Sequence, residues 1–334
     1  MILTLKAGLN QESIESIINQ LTELNAKVKH VQINQKDLIC IDAPKSVDLK
    51  PVIQRKEVLS FHHIGTAYKL VSRKYKADPS VIKVGNVEIG GKSLTVISGP
   101  CAVESREQIM EIAKLVKENG AQILRGGVFK PRTSPYAFQG MGEEGLMLLK
   151  EAGQTYGMPV VTEVLDEIGF DSVVDHVDII QIGARNMQNF ALLKKAGNCL
   201  KPILLKRGPS ATIEEFLLAA EYIMANGNPN VILCERGIKT YEPMTRNTLD
   251  ISCVPLIKHL SHLPILVDPS HASGDRKLIK SLSLAAVAAG ADGVMIEAHN
   301  HPDQALSDGP QSILPERLME IKEAMNRISE VLAV

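Results

Sequence analysis

Cys101, His271, Glu297 and Asp308 offer between them one thiolate, one imidazole and two carboxylates. That donor mixture suits a borderline divalent ion (Mn²⁺, Fe²⁺, Zn²⁺ or Co²⁺) and suits Mg²⁺ or Ca²⁺ poorly because of the sulfur. A second set is cationic: Arg125, Lys130, Arg132, Arg185, Lys206 and Arg236. Six positive side chains aimed into one cavity repel one another unless polyanions occupy it. Arginine brings bidentate forks for phosphate and carboxylate, and lysine brings a point charge. Singly, each residue has a plainer reading. Cys101 alone is a small buried hydrophobe, His271 a core histidine, and the acids and arginines solvated surface. His299 and His301 are alternative imidazole donors, ranked second to His271.

Position joins the two sets. From Leu94 onward, short β-branched runs recur at LTVIS (94–98), QILRG (122–126), PVVTE (159–163), IIQIG (179–183), PILLK (202–206), VILCE (231–235), PILVD (264–268) and GVMIE (293–297). Amphipathic stretches such as Arg106–Asn119, Glu143–Tyr156 and Ile213–Ala225 lie between them, and Pro315–Val331 follows the last run. Eight strands alternating with helices over about 240 residues predict a (β/α)₈ barrel. A doubly wound sheet is the rival, but no GxGxxG or GxxxxGK[ST] loop follows any strand. A barrel builds its site at the C-terminal ends of its strands. Each of the eight runs ends in, or is followed by, charged or metal-capable residues, and solvation does not account for eight in register. The donor set falls at strands one, seven and eight, which are neighbours once the barrel closes. The barrel's usual phosphate loop after strands seven and eight is absent, so phosphate is expected around strands two to six. A metal beside a polyanion pocket implies Lewis-acid activation of a carbonyl on a phosphorylated substrate.

Residues 1–70 follow a different pattern. Met1–Lys6 predicts a strand, Asn10–Leu24 a helix, Lys27–Ile33 and Leu38–Asp42 two strands about a polar turn, and Leu49–Gln54 a short helix before a final strand. The order β-α-β-β-α-β is that of a ferredoxin-like α+β domain, a fold common in ligand-sensing modules and equally at home as an oligomerisation domain. Residues 71–80 read as a linker. The basic stretch Tyr68–Lys76 is expected to be a solvated connector. Val81–Gly90 predicts a hairpin about Gly85-Asn86, opening a barrel domain of residues 81–334.

Composition narrows the function classes. With 37 Lys+Arg against 38 Asp+Glu, 4% aromatics and no Trp, the 334-residue chain lacks the basic excess and stacking surface of a nucleic-acid binder. No run is apolar for long enough to span a bilayer, and MILTLKAGLNQES reaches polar residues too early for a secretory signal. Five cysteines, odd in number and without a CxxC pair, imply a reducing cytoplasm.

Taken together, GPCAVES (99–105), KPRTS (130–134), QIGARN (181–186), LLKRG (204–208), CERG (234–237) and DPSH (268–271) resemble the 3-deoxy-D-arabino-heptulosonate 7-phosphate (DAHP) synthases. The branch resembled is the type I beta branch, whose barrel is close to that of the 3-deoxy-octulosonate 8-phosphate synthases. The resemblance covers essentially all of residues 81–334. The N-terminal segment is similar to the ferredoxin-like regulatory extension that some of these enzymes carry. The resemblance implies condensation of phosphoenolpyruvate with D-erythrose 4-phosphate and water to DAHP and phosphate, the first step of the shikimate pathway towards aromatic amino acids. It implies one divalent metal on Cys101, His271, Glu297 and Asp308, with Cys101, His271 and Lys130 as the catalytic set. It places phosphoenolpyruvate on Arg125, Lys130, Arg185, Lys206 and Arg236, and the erythrose 4-phosphate phosphate on Arg132 and Thr133. Lys130, His271 or a metal-bound water are all candidates for delivering a proton to the new alkoxide. It also implies feedback by Tyr and/or Phe at the N-terminal domain and a homotetramer. The alternative, an octulosonate 8-phosphate synthase acting on arabinose 5-phosphate, is expected to carry an Asn-containing KANRS loop where this chain has KPRTS. A non-catalytic, ligand-responsive barrel would show a broken donor set, and this set is complete.

Overall fold

Adjacent apolar side chains along the central strands point to opposite sides, and that lets one small sheet bury both its faces. The computed structural model describes residues 1–44, 46–132 and 134–332. β1 (Ile2–Leu5), α1 (Gln11–Glu23), β2 (Lys27–Ile33), β3 (Lys36–Asp42), α2 (Lys50–Ile53) and β4 (Val58–His62) form a β-α-β-β-α-β unit. Its four-stranded sheet has the antiparallel order β2-β3-β1-β4, the ferredoxin-like arrangement. Leu3, Leu5, Ile39 and Ile41 pack on Ile14, Ile17 and Leu21 of α1 and on Val52 of α2. From the opposite face Ile2, Val31, Ile33 and Leu38 join the main core together with Tyr68, Leu70 and Val71. Asn10 caps α1, its side chain accepting from Ser13 N at 3.0 Å.

The segment after β4 corrects one expectation. Tyr68–Ser72 is buried, not solvated. The amides of Leu70 and Val71 donate to the Glu221 carboxylate at 2.9 and 3.0 Å, and Arg73 reaches the carbonyl of Lys258 at 3.0 Å. Lys69 and Arg73 serve as long donors to carbonyls, so the first half of the run is a seam, while Lys74 and Lys76 stay exposed as expected.

β5 (Ile82–Val84) and β6 (Val87–Ile89) pair across the two-residue turn Gly85-Asn86. The hairpin plugs the N-terminal mouth of the barrel. Ile82, Val84, Val87 and Ile89 form one cluster with the inward side chains Ile97, Ile123, Val161, Ile179, Leu204, Ile232, Leu266 and Met295. The barrel strands and helices follow in alternation: β7 (Thr95–Gly99), α3 (Arg106–Glu118), β8 (Ile123–Arg125), α4 (Gly142–Tyr156), β9 (Val160–Val164), α5 (Glu167–Val174), β10 (Ile179–Ile182) and α6 (Phe190–Gly197). β11 (Ile203–Lys206), α7 (Ile213–Met224), β12 (Val231–Glu235), α8 (Cys253–Leu260), β13 (Ile265–Val267), α9 (Pro269–Ser273), α10 (Ile279–Ala288), β14 (Gly293–Glu297) and α11 (Arg317–Leu332) complete it. The eight strands close in the order β10-β11-β12-β13-β14-β7-β8-β9, every pair parallel. Among the described residues no helix is long and apolar enough to cross a membrane.

His262, just ahead of β13, holds the seam to the barrel. Its Nε2 donates to the Leu70 carbonyl and its Nδ1 accepts from Ser80 Oγ, both at 2.8 Å. Burial, helped by Lys76 and Arg73, lowers its pKa from 6.5 to about 4. Between those values the unfolded chain binds more protons than the folded one. This contribution to stability is therefore complete above pH 6.5 and is lost as the pH falls towards 4. At 1.36 kcal/mol per pKa unit the loss amounts to roughly 3 kcal/mol. Thermal melts between pH 7 and 4 should show it as a fall in Tm, and His262→Asn, which keeps one donor and one acceptor, should flatten that part of the profile.

Candidate functional site

The C-terminal ends of the barrel strands surround a cavity of about 590 Å³. Arg125 ends β8, Lys206 ends β11, and Arg185 and Arg236 lie just beyond β10 and β12. With Lys130 and Arg132 from the loop after β8, all six cations named from the sequence line this one cavity. Lys239 and Arg246 line it too, and the only carboxylates that do so among the described residues are Glu163 and Asp308. Arg185 and Arg236 have no carboxylate within 4.0 Å among the described residues. Burial lowers the pKa of Arg236, and the nearby Arg246 and Arg185 push it further down although Asp268 resists. Arg125 is buried, and its Nε has no hydrogen-bond partner among the described residues. An orphaned guanidinium N–H in a wall of excess positive charge asks for an anionic oxygen.

On one side of this cavity lies the donor set. Cys101 follows β7, Glu297 ends β14, and Asp308 sits in the loop beyond. One ligand atom from each, a sulfur and two carboxylate oxygens, lies within 4.8 Å of the others. His271, on α9, brings Nε2 to 3.5 Å from Glu297 Oε1 and 3.8 Å from Asp308 Oδ2. Its Nδ1 is 2.7 Å from Asp268 Oδ2, and burial lowers the pKa of the ring. Neutral and donating from Nδ1, the ring turns the Nε2 lone pair towards the two acids. A buried and a half-buried carboxylate, a thiol and an imidazole lone pair converge within one coordination radius, and that mixture of hard and soft donors fits a divalent ion. His299 is 3.4 Å from Glu104 and His301 is exposed, so neither joins the cluster.

Close packing fixes the remaining parts. Lys130 Nζ lies 3.0 Å from both the Sγ and the carbonyl oxygen of Cys101. It reaches them by passing over Gly127, where a Cβ would stand 2.6 Å from that carbonyl and 3.1 Å from Nζ. Gly99 has φ +150°, and a Cβ there would meet the Arg125 carbonyl at 2.1 Å. Burial pushes the metal-free Cys101 thiol up to about 11, with Glu297 adding to the rise. Burial works against ionisation of Asp308 as well, but Arg246 and then His271 hold it well below the usual carboxylate range. Arg132 NH1 donates to Ser307 Oγ at 2.6 Å, tying the β8 loop to the β14 loop. Thr133 lies outside the described residues.

Three residues at this site were given no role from the sequence. Asp268 is fully buried and accepts from Lys206 Nζ, from His271 Nδ1 and, at 2.9 Å, from the His271 amide. In the sequence it ended the run PILVD and opened DPSH, with no role assigned to it. Arg246 and Gln311 sit in long loops, where no periodicity marks an inward residue.

Comparison with known proteins agrees with this geometry. The profile of the DAHP synthetase I family matches residues 71–333. The chain is 49% identical to the phospho-2-dehydro-3-deoxyheptonate aldolase of Thermotoga maritima, over 100% of this chain and 99% of that one. The crystal structure of that DAHP synthase superposes with a TM-score of 0.80, covering 100% of this chain and 98% of the other. A truncated form of the 3-deoxy-D-arabino-heptulosonate 7-phosphate synthase from the same organism, 52% identical, matches 80% of this chain and 98% of its own length with a TM-score of 0.75. The 2-dehydro-3-deoxyphosphooctonate aldolase of Nitrobacter hamburgensis is more distant, at 33% identity over 70% of this chain and 87% of its own.

Replacing Asp268 by Asn would leave the Lys206 ammonium buried without its counter-charge and unseat the His271 tautomer. Removing one partner of a buried pair costs about 3–5 kcal/mol. Urea unfolding of Asp268→Asn should show a loss of that size; a loss under 1 kcal/mol would mean that Lys206 is solvated or neutral.

Proposed function

The chain belongs to the DAHP synthetase I family and condenses phosphoenolpyruvate with D-erythrose 4-phosphate and water to DAHP and phosphate, and from that premise we propose how its residues divide the work. The supporting observation is the juxtaposition at one barrel mouth of a thiol–imidazole–carboxylate cluster and a wall of cations with an orphaned guanidinium. Cys101, His271, Glu297 and Asp308 would hold one divalent ion, Mn²⁺, Fe²⁺, Zn²⁺ or Co²⁺ in class. When bound, it would supply Lewis-acid polarisation of the sugar aldehyde.

In this reading Arg125, Arg185, Lys206 and Arg236 clamp the phosphate and carboxylate of phosphoenolpyruvate, and Lys130 stands beside its reacting end. Arg132, with Thr133, takes the phosphate of erythrose 4-phosphate. Held at both ends, the two substrates meet with C3 of phosphoenolpyruvate against the aldehyde carbon, which converts a bimolecular encounter into an oriented one. As that bond forms, positive charge grows at C2; the substrate's own carboxylate and phosphate, with Glu163 on the wall, offset it. Water adds at C2, and the hemiketal phosphate loses phosphate by C–O cleavage to leave the ketone. Lys130 delivers the proton to the new alkoxide: His271 has its only N–H committed to Asp268, whereas the Lys130 ammonium faces the reacting end. Arabinose 5-phosphate is the alternative second substrate; KPRTS at 130–134 and the 49% identity to the heptonate aldolase favour erythrose 4-phosphate.

The N-terminal sheet is the regulatory part in this proposal, and Tyr and/or Phe its effector. β4 is an edge strand, with Leu59 and Phe61 63% and 49% exposed. A bare apolar edge of this kind suits pairing with a second copy, which supports a homo-oligomer, a tetramer by family resemblance. The five cysteines are free thiols, as a reducing cytoplasm keeps them.

Consumption of phosphoenolpyruvate by EDTA-treated protein should be negligible and should return with Mn²⁺ when erythrose 4-phosphate is offered. Faster turnover of arabinose 5-phosphate would move the chain to the octulosonate enzymes, and turnover without metal would remove the metal from the reaction. Deleting residues 1–63, which spares the buried Ile64 and Tyr68–Ser72, should leave an active enzyme that Tyr and Phe no longer inhibit. Retained inhibition would locate the effector on the barrel.

A further inference from the structure

The loop between β12 and α8 does more than roof the cavity. Ile238 and Thr248 exchange backbone hydrogen bonds, closing residues 238–248 into a strap. The strap is stitched to the helix that carries His271. Arg246 N donates to Ser273 O at 3.0 Å, Asn247 N to Ala272 O at 2.8 Å, and the Asn247 side chain to the His271 carbonyl at 2.9 Å. With its backbone fixed there, Arg246 extends NH1 to Asp308 Oδ2 at 3.0 Å and to Gln311 Oε1 at 2.7 Å. Gln311, 2% exposed, turns its amide nitrogen to Glu297 Oε2 at 2.7 Å and, more weakly, to Asp308 Oδ2 at 3.4 Å. The two side chains thus make one relay, Arg246 to Gln311 to Glu297, that also grips Asp308.

Asp308 needs such a grip. It sits at φ +54°, in the left-handed region that a non-glycine residue occupies only when its surroundings impose it. The loop alone does not aim its carboxylate. Nor does a strand hold the distal oxygen of Glu297, whose other oxygen is already taken by Arg125. We propose that Arg246 and Gln311 are positioning residues of the metal centre, acting through Asp308 and Glu297 to set the two carboxylate ligands before the ion arrives. The strap thereby couples three of the four ligands, since the same loop bonds the backbone of His271. This inference rests on the metal reading above. Outer-shell partners of this kind are worth about 10–100-fold in metal affinity.

The test is a titration of Co²⁺ into metal-stripped full-length protein, followed by the thiolate charge-transfer and ligand-field bands of the bound ion. Wild type, Arg246→Met, Gln311→Met and Arg246→Lys are compared, with the unfolding midpoint of each metal-free form as a second measurement. The expected result is Co²⁺ affinity about 10–100-fold weaker in both Met variants, with shifted ligand-field bands. Arg246→Lys should recover part of the affinity, because a point charge still reaches Asp308. Midpoints should stay within about 1 °C of wild type, a small shift for a chain of this size. Wild-type affinity and spectrum in both Met variants would overturn the inference while leaving the metal reading intact. So would loss of affinity in step with a fall in midpoint that Arg246→Lys does not rescue, since the residues would then be holding the loop and not the ligands. Failure of wild type itself to bind Co²⁺ would overturn both readings and needs no variant to be recognised.

Discussion

A line of charged groups bridged by one neutral imidazole crosses the barrel mouth, and the rest of the site is hung from it. Arg125 at the end of β8 pairs with Glu297 at the end of β14; Glu297 faces His271; His271 donates to Asp268; Asp268 takes the ammonium of Lys206 at the end of β11. Each member is buried or nearly so. Desolvation would make any one of them unaffordable alone, so the line stands only complete. Its ends belong to β8 and β11, three places apart in the closed sheet, which is why a barrel, with fixed strand order and shear, can build it and a set of loops cannot.

That line also sorts the chemistry. On the Glu297 side, Cys101 and Asp308 add soft and hard donors around an imidazole lone pair. On the Lys206 side, Arg185 and Arg236 add unpaired positive charge. In the proposed reading a cation belongs at one end and phosphate at the other, and Lys130 stands between them, packed against Cys101 over Gly127. Because a buried pair contributes little to net stability when compared with an apolar replacement, the arrangement is explained by what it holds rather than by the folding energy it adds.

Much of this was legible in the sequence, and the reason is periodic. The runs at 94–98, 159–163 and 231–235 are β-branched and bounded, so their strand character and their inward or outward alternation are local properties. The residue ending each run is then placed by the barrel rule without knowledge of any contact. The same logic fails where periodicity ends. Tyr68–Lys76 has the composition of a solvated connector, but the burial of its first half, Tyr68–Ser72, depends on an acceptor 150 residues away, Glu221, and the Arg73 beyond it on a carbonyl near the end of a helix. Arg246 and Gln311 likewise sit in loops whose direction is set by partners that are remote in sequence. Asp268 was within a quoted motif, yet its part as the counter-charge of Lys206 is a contact between strands two places apart in the sheet.

The division between strand and loop residues carries a consequence for the site itself. Strand ends are rigid, so the ladder fixes the backbone of Arg125, Lys206 and Glu297, and only their side-chain ends need partners: Glu297 and Arg125 hold each other, Asp268 holds Lys206, and Gln311 holds the distal oxygen of Glu297. The proposed ligands in loops or on a short helix, Cys101, His271 and Asp308, are each held by a second residue: Lys130 on the sulfur, Asp268 on the imidazole and Arg246 on the carboxylate. Two of these three supports, Lys130 and Arg246, also line the cavity where the anions are read. Any anion that draws Lys130 or Arg246 towards itself must loosen its hold on a ligand of the neighbouring centre. If the proposed roles hold, occupancy of the anion wall and geometry of the donor set are therefore not independent variables, and each binding event changes the free energy of the other by the same amount.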